Sequence, residues 1–351
     1  MNSRTSQLRS SSQPLADAYD VTLLDLDGVI YLLDEAITGA EHAVQTLRQS
    51  GNQPVFVTNN ASRLAGEVAQ VLTDLGIKAS SVEVQTSAQT AVHLIAERLR
   101  DQDHPRVLVT GSAALAEEVV QAGLAPTQDP KAAHAVVQGY APSLGWCDLA
   151  DAAVAVRNGA LWVATNTDAT LPSPNGPLPG NGSLVNAVAM AVGHDPQVIA
   201  GKPEPVIYRQ VMERFPGDKS IAVGDRWDTD IAGANAANID SMLVFTGVAD
   251  PRSALTIPPE GRPTYLGKSV TDALEPHPAV VWEAEWVVSC RGWTARLGES
   301  HQRILEGEGA PIDAWRALCE LSWSALDAAV CDGSEPIDSG SAEARAVLAQ
   351  Q

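Results

Sequence analysis

The chain has 351 residues, which is enough for two or three domains. It carries 43 acidic against 23 basic residues and a formal net charge of −20. This balance argues against a general nucleic-acid binder, because such a protein needs excess Lys and Arg to displace counterions from phosphates. The four cysteines form no CxxC pair, which argues against a disulfide framework or a structural zinc site and favours reduced thiols.

The N-terminal segment, residues 1 to about 18, is rich in Ser and Gln, and we predict that it is a disordered tail. It contains no apolar stretch typical of a signal peptide. No apolar run in the chain nears the ~20 residues that span a bilayer. We therefore predict a cytoplasmic protein that does not contact membranes.

The first structured block alternates strands and helices. Residues 21–28, VTLLDLDG, form an apolar run that ends in carboxylates and glycine, as a buried parallel strand does at its carboxyl end. We predict a helix over Ala40–Gln49, a strand over Pro54–Val57 and a helix over Glu67–Leu75, which Gly76 terminates. This order predicts a doubly wound, mainly parallel α/β sheet.

The middle of the chain repeats the alternation. The predicted strands and helices here are Arg106–Thr110, Ala113–Ala122, Ala135–Gln138, Trp146–Arg157 and Leu161–Thr165. After a Pro/Gly-rich loop, two further strands are predicted at Ser220–Val223 and Ser241–Phe245.

The character of the sequence changes from about residue 278. Five of the eight tryptophans lie close together here, at positions 282, 286, 293, 315 and 323. We predict a strand pair from Val280–Val288 and Trp293–Leu297, and a helix over Ala314–Ala329. These elements indicate a small α+β module, and its tryptophans are more typical of a small core than of a ligand cage.

Polar side chains follow several predicted strands. Asp25 and Asp27 stand two residues apart at a strand end, where two acids repel each other unless a cation lies nearby. Thr58, Asn59 and Asn60 offer a hydroxyl, amides and backbone N–H groups suited to phosphate oxygens. In open α/β sheets ligands bind at the carboxyl ends of strands.

Two later segments complete this set. Lys202, in Gly-Lys-Pro before a predicted helix, offers a compact positive charge for a phosphoryl group. The segment GDRWDTD supplies Asp225, Asp228 and Asp230 after another apolar strand. Mg²⁺ prefers oxygen ligands and keeps several waters, so two carboxylates and a carbonyl suffice to hold it. Each element is weak by itself, and the ordered set is specific.

The ordered motifs DLDG, TNN, GKP and GDRWDTDI resemble the four-motif signature of the haloacid dehalogenase (HAD) superfamily. The long insert resembles the cap of subclass IIA, the NagD and p-nitrophenylphosphatase group, and TNTDATLPSPNGPLPGNGS is similar to its cap-to-core region. The resemblance implies a Rossmann-like HAD core over 19–85 and 198–277, an inserted α/β cap domain over 86–197, and a small α+β C-terminal module over 278–351.

The resemblance also implies a role for each matching residue. Asp25 is expected to attack phosphorus and form an aspartyl-phosphate, while Asp27 protonates the leaving alkoxide and later activates water. Thr58, Asn59 and Asn60 are expected to hold the phosphoryl oxygens, and Lys202 to neutralise charge.

The implied metal site holds Mg²⁺ through Asp25, the carbonyl of Asp27 and Asp225, with Asp230 orienting a metal-bound water. Whether Asp228 contributes is left open. Asp27 itself favours phosphoryl transfer, since the dehalogenases of the superfamily lack an acid there.

The C-terminal module resembles that of actinobacterial members that hydrolyse glycerol 3-phosphate, which makes this the expected substrate. Leu171 stands where mammalian pyridoxal-phosphate phosphatases of the subclass have a histidine, and this argues against pyridoxal phosphate. Other small sugar, polyol or nucleotide monophosphates stay open, and so does homo-oligomer formation. The expected partner is thus a small phosphorylated metabolite.

Alternative functions are less well supported. A P-loop fails at Gly267-Lys268-Ser269, because the position that needs the first glycine is Arg262. A dinucleotide motif fails at Gly180-Asn181-Gly182, because the third glycine position is Val185. A catalytically inactive HAD-fold binding or regulatory protein stays open, although the complete set of motif residues argues against it.

Overall fold

The computed structural model describes residues 6–349 except 172 and 174. The chain divides into two compact units. The first unit comprises residues 1–32, 36–54 and 217–351, and the second comprises 33–35 and 55–216. The second unit thus contains all of the predicted insert. The division into core, cap and C-terminal module stays a prediction.

The described strands are, in chain order, Ser11–Pro14 (β1), Val21–Leu24 (β2), Tyr31–Leu32 (β3), Glu35–Ala36 (β4), Gln53–Thr58 (β5), Val84–Thr86 (β6), Arg106–Thr110 (β7), Ala125–Thr127 (β8), Ala135–Gln138 (β9), Leu161–Ala164 (β10), Thr170–Leu171 (β11), Leu178–Pro179 (β12), Val198–Ile199 (β13), Ser220–Gly224 (β14), Asp240–Val244 (β15), Tyr265–Gly267 (β16), Pro276–His277 (β17), Val280–Ala284 (β18), Val287–Cys290 (β19), Trp293–Leu297 (β20), Arg303–Gly307 (β21) and Ile337–Ser339 (β22). The described α-helices are Leu15–Ala18 (α1), Ala40–Gln49 (α2), Ala65–Asp74 (α3), Ser87–Arg98 (α4), Ala113–Gln121 (α5), Trp146–Arg157 (α6), Asn181–Val192 (α7), Val206–Arg214 (α8), Ala232–Ala236 (α9), Pro311–Asp327 (α10) and Ala342–Ala349 (α11).

The first unit contains a parallel sheet in which β16, β15, β14 and β2 are neighbours in that order. The strands β2, β14 and β15 are almost entirely buried, because apolar residues occupy most positions and both faces are covered. Each of these strands ends near a carboxylate or glycine, which places polar groups at one edge. The predicted strands of this sheet are confirmed to within one or two residues.

The second unit contains a five-stranded parallel sheet in the order β13-β10-β9-β7-β8, and it also contains β6, which pairs in parallel with β5. The five-stranded sheet has an apolar core on each face. Val137 and Val163 lie in one core, and their chain neighbours Val136 and Trp162 lie in the other. This alternation follows from the period of two along a strand and confirms the doubly wound α/β class.

The C-terminal segment forms a five-stranded sheet, β18 to β22 in order, with α10 packed on it. Helix α10 begins at Pro311. Proline fits this position, because an N–H group in the first turn has no acceptor within the helix. Trp293, Trp315 and Trp323 are buried, so the prediction that the tryptophans form a core is confirmed. The single strand predicted over Val280–Val288 is wrong: a turn with positive φ at Trp286 divides it into a hairpin of β18 and β19.

The N-terminal prediction needs a correction. Residues 6–18 are ordered, and β1 pairs with β17. Leu8 and Leu15 are buried, and the buried carboxylate of Glu320 accepts the backbone N–H groups of Gln7 and Leu8. Apolar burial and these hydrogen bonds offset the entropy cost of ordering the segment. Residues 1–5 of the predicted tail lie outside the described residues.

Within the part of the chain that the structure describes, no helix is long and apolar enough to cross a membrane.

Candidate active site

Three carboxylates meet at the edge of the sheet in the first unit. One oxygen atom each from Asp25, Asp225 and Asp230 lies within 4.8 Å of the others. Asp225 is 2% exposed and Asp230 is 1% exposed, while Asp25 is half-buried. Buried acids at this spacing repel each other strongly unless a cation joins them, and such oxygen atoms are the ligands that Mg²⁺ prefers. The donor set therefore fits the predicted Mg²⁺.

Asp225 is positioned by the loop that follows β15. Its Oδ2 accepts the backbone N–H of Val248 at 2.6 Å. Its main-chain oxygen accepts the N–H of Ala249 at 2.9 Å. Since both bonds come from consecutive residues, the loop fixes the carboxylate and its backbone together.

Two glycines leave room for the Asp225 carboxylate. A Cβ added at Gly28 would lie 2.4 Å from Asp225 Oδ2, and one added at Gly247 would lie 2.0 Å from it. Gly28 also has a φ of +81°, a conformation that other residues rarely adopt. Sequence reasoning missed Gly247 and Val248; the only signal was a Thr-Gly pair just after an apolar strand.

Asp230 lies in a π-helical turn, Trp227–Ile231, that follows β14. Its Oδ2 accepts the backbone N–H of Arg226 at 3.0 Å. Asp228, on the same turn, points elsewhere: its two oxygens accept hydrogen bonds from the Arg226 guanidinium at 3.1 and 2.7 Å. Asp228 is not part of the three-carboxylate cluster.

Asp27 is exposed and forms an isolated bridge with Tyr31. The N–H of Gly28 donates to the Tyr31 carbonyl at 2.8 Å, which closes a tight turn directly after Asp27. Leu26, between the two acids, is buried, whereas Asp27 is exposed to solvent. An accessible acid suits proton exchange with a substrate and water.

The predicted phosphate-binding residues lie in the second unit. Thr58, the last residue of β5, is buried, and its Oγ1 accepts the N–H of Asn60 at 3.1 Å. Lys202 is 3% exposed, and its Nζ donates to the Val57 carbonyl at 3.2 Å. The structure therefore brings the ammonium group of Lys202 to the end of β5, beside Thr58.

The side chain of Asn59 makes contacts that the sequence did not predict. Its Nδ2 donates both to the Lys202 carbonyl and to Asp168 Oδ2, each at 3.0 Å, and its Oδ1 accepts the Lys202 N–H at 2.8 Å. A carboxamide has two N–H donors, and both are used here. The side chain of Asn59 thus positions the backbone of Lys202, and only its main-chain N–H is suited to phosphate.

In the second unit, Asn60 is exposed and Leu171 is half-buried. Asn60 is exposed, and its Oδ1 accepts hydrogen bonds from the N–H and Oγ of Ser62 at 2.8 and 2.7 Å. Its amide nitrogen is the group suited to an anion. Leu171 ends β11, in a two-stranded ribbon with β12 where it pairs with Leu178.

Two family models match the chain. A haloacid dehalogenase-like hydrolase model matches residues 22–125, and a HAD-hydrolase-like model matches residues 199–273. The first contains Asp25, Asp27 and Thr58, and the second contains Lys202 and Asp225.

Known proteins resemble the chain over most of its length. D-Glycerol 3-phosphate phosphatase of Mycobacterium tuberculosis is 41% identical over 340 residues, which cover 95% of this chain and 94% of that protein. The crystal structure of glycerol phosphate phosphatase from the same organism, in complex with magnesium, has a TM-score of 0.85 and 39% identity, covering 96% of this chain and 98% of that one. The 4-nitrophenylphosphatase of Thermotoga maritima has a TM-score of 0.69 and 29% identity, covering 74% of this chain and 98% of that one.

Proposed function

The chain belongs to the haloacid dehalogenase superfamily of hydrolases, and we propose that it is a Mg²⁺-dependent phosphatase with glycerol 3-phosphate as its substrate. The observation that carries the proposal is the cluster of Asp25, Asp225 and Asp230 in a chain with the complete set of family motifs. Mononuclear Mg²⁺ sites with few protein carboxylates are typical of phosphoryl-transfer enzymes.

Asp25, Asp225 and the carbonyl of Asp27 would hold the metal, with Asp230 as a further ligand or the acceptor of a metal-bound water. When bound, Mg²⁺ reduces the repulsion between an anionic nucleophile and an anionic phosphate ester. Val248, Gly28 and Gly247 keep the Asp225 carboxylate in place for this.

The covalent chemistry belongs to the two acids of DLDG. An Asp25 oxygen attacks phosphorus while the bond from phosphorus to the glycerol oxygen breaks, and Asp27 gives its proton to that oxygen. Asp27 then takes a proton from water as the water oxygen attacks the aspartyl-phosphate. The bond between phosphorus and Asp25 breaks, which releases inorganic phosphate and restores both acids.

The predicted phosphate-binding residues hold the phosphoryl group in this proposal. The Thr58 hydroxyl and the backbone N–H groups of Asn59 and Asn60 donate to its oxygens. The Lys202 ammonium neutralises charge as it develops. Asn59 holds the Lys202 backbone through its side chain, so we assign it a positioning role as well.

The substrate assignment rests on the relatives. The chain matches a D-glycerol 3-phosphate phosphatase along nearly its whole length, whereas the 4-nitrophenylphosphatase match covers 74% of it. An aliphatic Leu171 at the predicted cap loop offers no ring to stack on pyridoxal. The alternative substrates are other small sugar, polyol or nucleotide monophosphates. The cytoplasmic location and the absence of nucleic-acid and membrane partners stay predictions.

The test is a measurement of phosphate release from a panel of phosphorylated metabolites, with Mg²⁺ and with chelator. The panel includes both enantiomers of glycerol 3-phosphate, sugar phosphates, nucleotide monophosphates and pyridoxal phosphate. We expect Mg²⁺-dependent release with glycerol 3-phosphate at the highest kcat/KM. If another ester is preferred, the substrate is wrong and the class survives. If no ester is hydrolysed, the chain is an inactive binding protein of this fold.

A further inference from the structure

We propose that the C-terminal helix α10 is a positioning element for the metal site, acting through the indole N–H of Trp323 on the loop that holds Asp225. This inference rests on the proposed metal dependence and assigns a function to a segment that contains none of the motif residues. All the contacts involved lie within the first unit.

The first link joins Asp225 to a short loop. Val248 and Ala249 donate their N–H groups to the side chain and the main chain of Asp225. Ala249 is buried in the same apolar core as Trp323, whereas Val248 is 72% exposed. The loop is therefore held on one side by the core below it and touches the carboxylate on the other.

The second link joins that loop to α10. The chain continues from Ala249 into a 3₁₀ turn, Ser253–Thr256, in which Ala254 and Leu255 are buried. The indole Nε1 of Trp323, which is fully buried, donates to the Ala254 carbonyl at 2.8 Å. A buried carbonyl needs such a partner, so the indole fixes where the turn lies relative to α10.

A second route reaches the metal site from the same core. Trp227, between Asp225 and Asp230 in the chain, packs against the C-terminal core, and Ile231 is buried in it. Gly261 lies under the Trp227 ring, where an added Cβ would be 2.5 Å from Cε3. Two of the three clustered carboxylates are therefore attached to backbone that packs on the C-terminal core. Partners behind metal ligands commonly set metal affinity.

The experiment compares two buried tryptophans. Trp323→Phe keeps an aromatic ring and removes the donor to Ala254. Trp293→Phe is the matched control, because Trp293 is also buried in the C-terminal core and donates to a carbonyl, that of Ala310 at 3.0 Å, away from the metal loop. The Mg²⁺ dissociation constant is measured by calorimetric titration of the full chain without substrate, and kcat and KM are measured at saturating Mg²⁺.

We expect Trp323→Phe to raise the Mg²⁺ dissociation constant roughly threefold to tenfold, the effect of one hydrogen bond, with KM at saturating Mg²⁺ unchanged. We expect Trp293→Phe to lower stability comparably and to leave the constant within about twofold of wild type. Equal constants for the two variants would overturn the inference.

If Trp323→Phe does not fold by circular dichroism, Leu255→Val decides, because Leu255 is buried on the 3₁₀ turn that the indole holds: a raised constant supports the inference, and a wild-type constant refutes it. Absence of Mg²⁺ binding by the wild-type chain would instead contradict the proposed function, so the two failures are distinguishable.

Discussion

The first unit contains a cluster of three acids and a single buried aspartate, and the two differ in the groups that surround them. At the sheet edge, Asp25, Asp225 and Asp230 converge within 4.8 Å. In the C-terminal segment, Asp313 is 1% exposed and is bracketed by two guanidinium groups: Arg316 Nη1 lies 2.7 Å from Oδ1, and Arg291 Nη1 lies 3.3 Å from Oδ2.

The difference indicates which group serves binding and which serves structure. The charge of a buried acid that is paired with arginine is neutralised within the protein. Removing either partner leaves the other as an uncompensated buried charge. Three acids whose oxygen atoms converge offer the ligand atoms that Mg²⁺ prefers, so their arrangement fits a metal site. Substitutions in the cluster should therefore change activity and metal affinity, and substitutions around Asp313 should change stability.

The largest effect is expected at the nucleophile. Asp25→Asn removes the attacking charge with almost no change in size, and we expect kcat to fall at least about 10³-fold. Phosphate release at saturating Mg²⁺ measures it. Asp228→Asn is the control, since its carboxylate pairs with Arg226 outside the cluster, and we expect near wild-type kcat. A wild-type rate for Asp25→Asn would disprove the nucleophile assignment.

The paired acid should show the reverse behaviour. Arg316→Met leaves Asp313 without its nearer partner and removes two hydrogen bonds to the Leu266 carbonyl. We expect the free energy of unfolding, from urea titration, to fall by about 3 kcal/mol, with kcat retained at saturating Mg²⁺.

Arg296→Met is the control for this variant, because its partner Glu306 is exposed and the pair should contribute at most about 1 kcal/mol. If Arg316→Met lost activity while keeping its stability, the distinction between the two acid groups would be wrong.

A steric change at the sheet edge should act on metal affinity alone. The methyl group of Gly247→Ala would lie 2.0 Å from Asp225 Oδ2, so the carboxylate has to move. We expect the Mg²⁺ dissociation constant to rise roughly 10- to 100-fold, by calorimetry. Gly66→Ala is the matched control: it lies in α3, with nothing within 4 Å of the added Cβ. An unchanged constant for Gly247→Ala would show that Asp225 does not bind the metal.

The sequence predicted the acids of the site better than the groups that hold them. Asp25 and Asp225 follow apolar strands, and the sequence shows this pattern because it depends on the types of side chain. The donor to Asp225 is a backbone N–H at Val248, which has no side-chain signature. Asn59 shows the same limit. Its motif predicted a polar group at a strand end, but it could not predict the hydrogen bond to Lys202, which is 143 positions away.

The fold shows a similar division. Alternating strands and helices were predictable in both units, since period and apolar runs are local properties. The ordered N-terminal segment was not, because Leu8 and Leu15 are isolated in a polar stretch and Leu8 has its partner at Glu320, 312 positions away. The local composition predicts disorder in this segment, but hydrogen bonds to a buried carboxylate far away in the sequence help to order it.

The smallest expected effect concerns pH and the paired acid group. His277 Nδ1 accepts from Arg316 Nη2 at 3.2 Å, and Nε2 contacts the Asp272 carbonyl at 3.0 Å, which suits the neutral ring. Burial, and then the charge of Arg316, lower the pKa of His277 from 6.5 to about 4. Between these two values the unfolded chain binds a proton that the folded chain does not, so stability falls as pH falls.

We expect His277→Gln to lose about 1 kcal/mol less stability than wild type when the pH is lowered from about 7 to about 5.5, by urea titration. The exposed His104→Gln variant serves as control and should keep the wild-type dependence. Equal pH dependence in all three proteins would mean that His277 is protonated as easily when folded as when unfolded. Burial and the Arg316 cation would then not lower the pKa of His277.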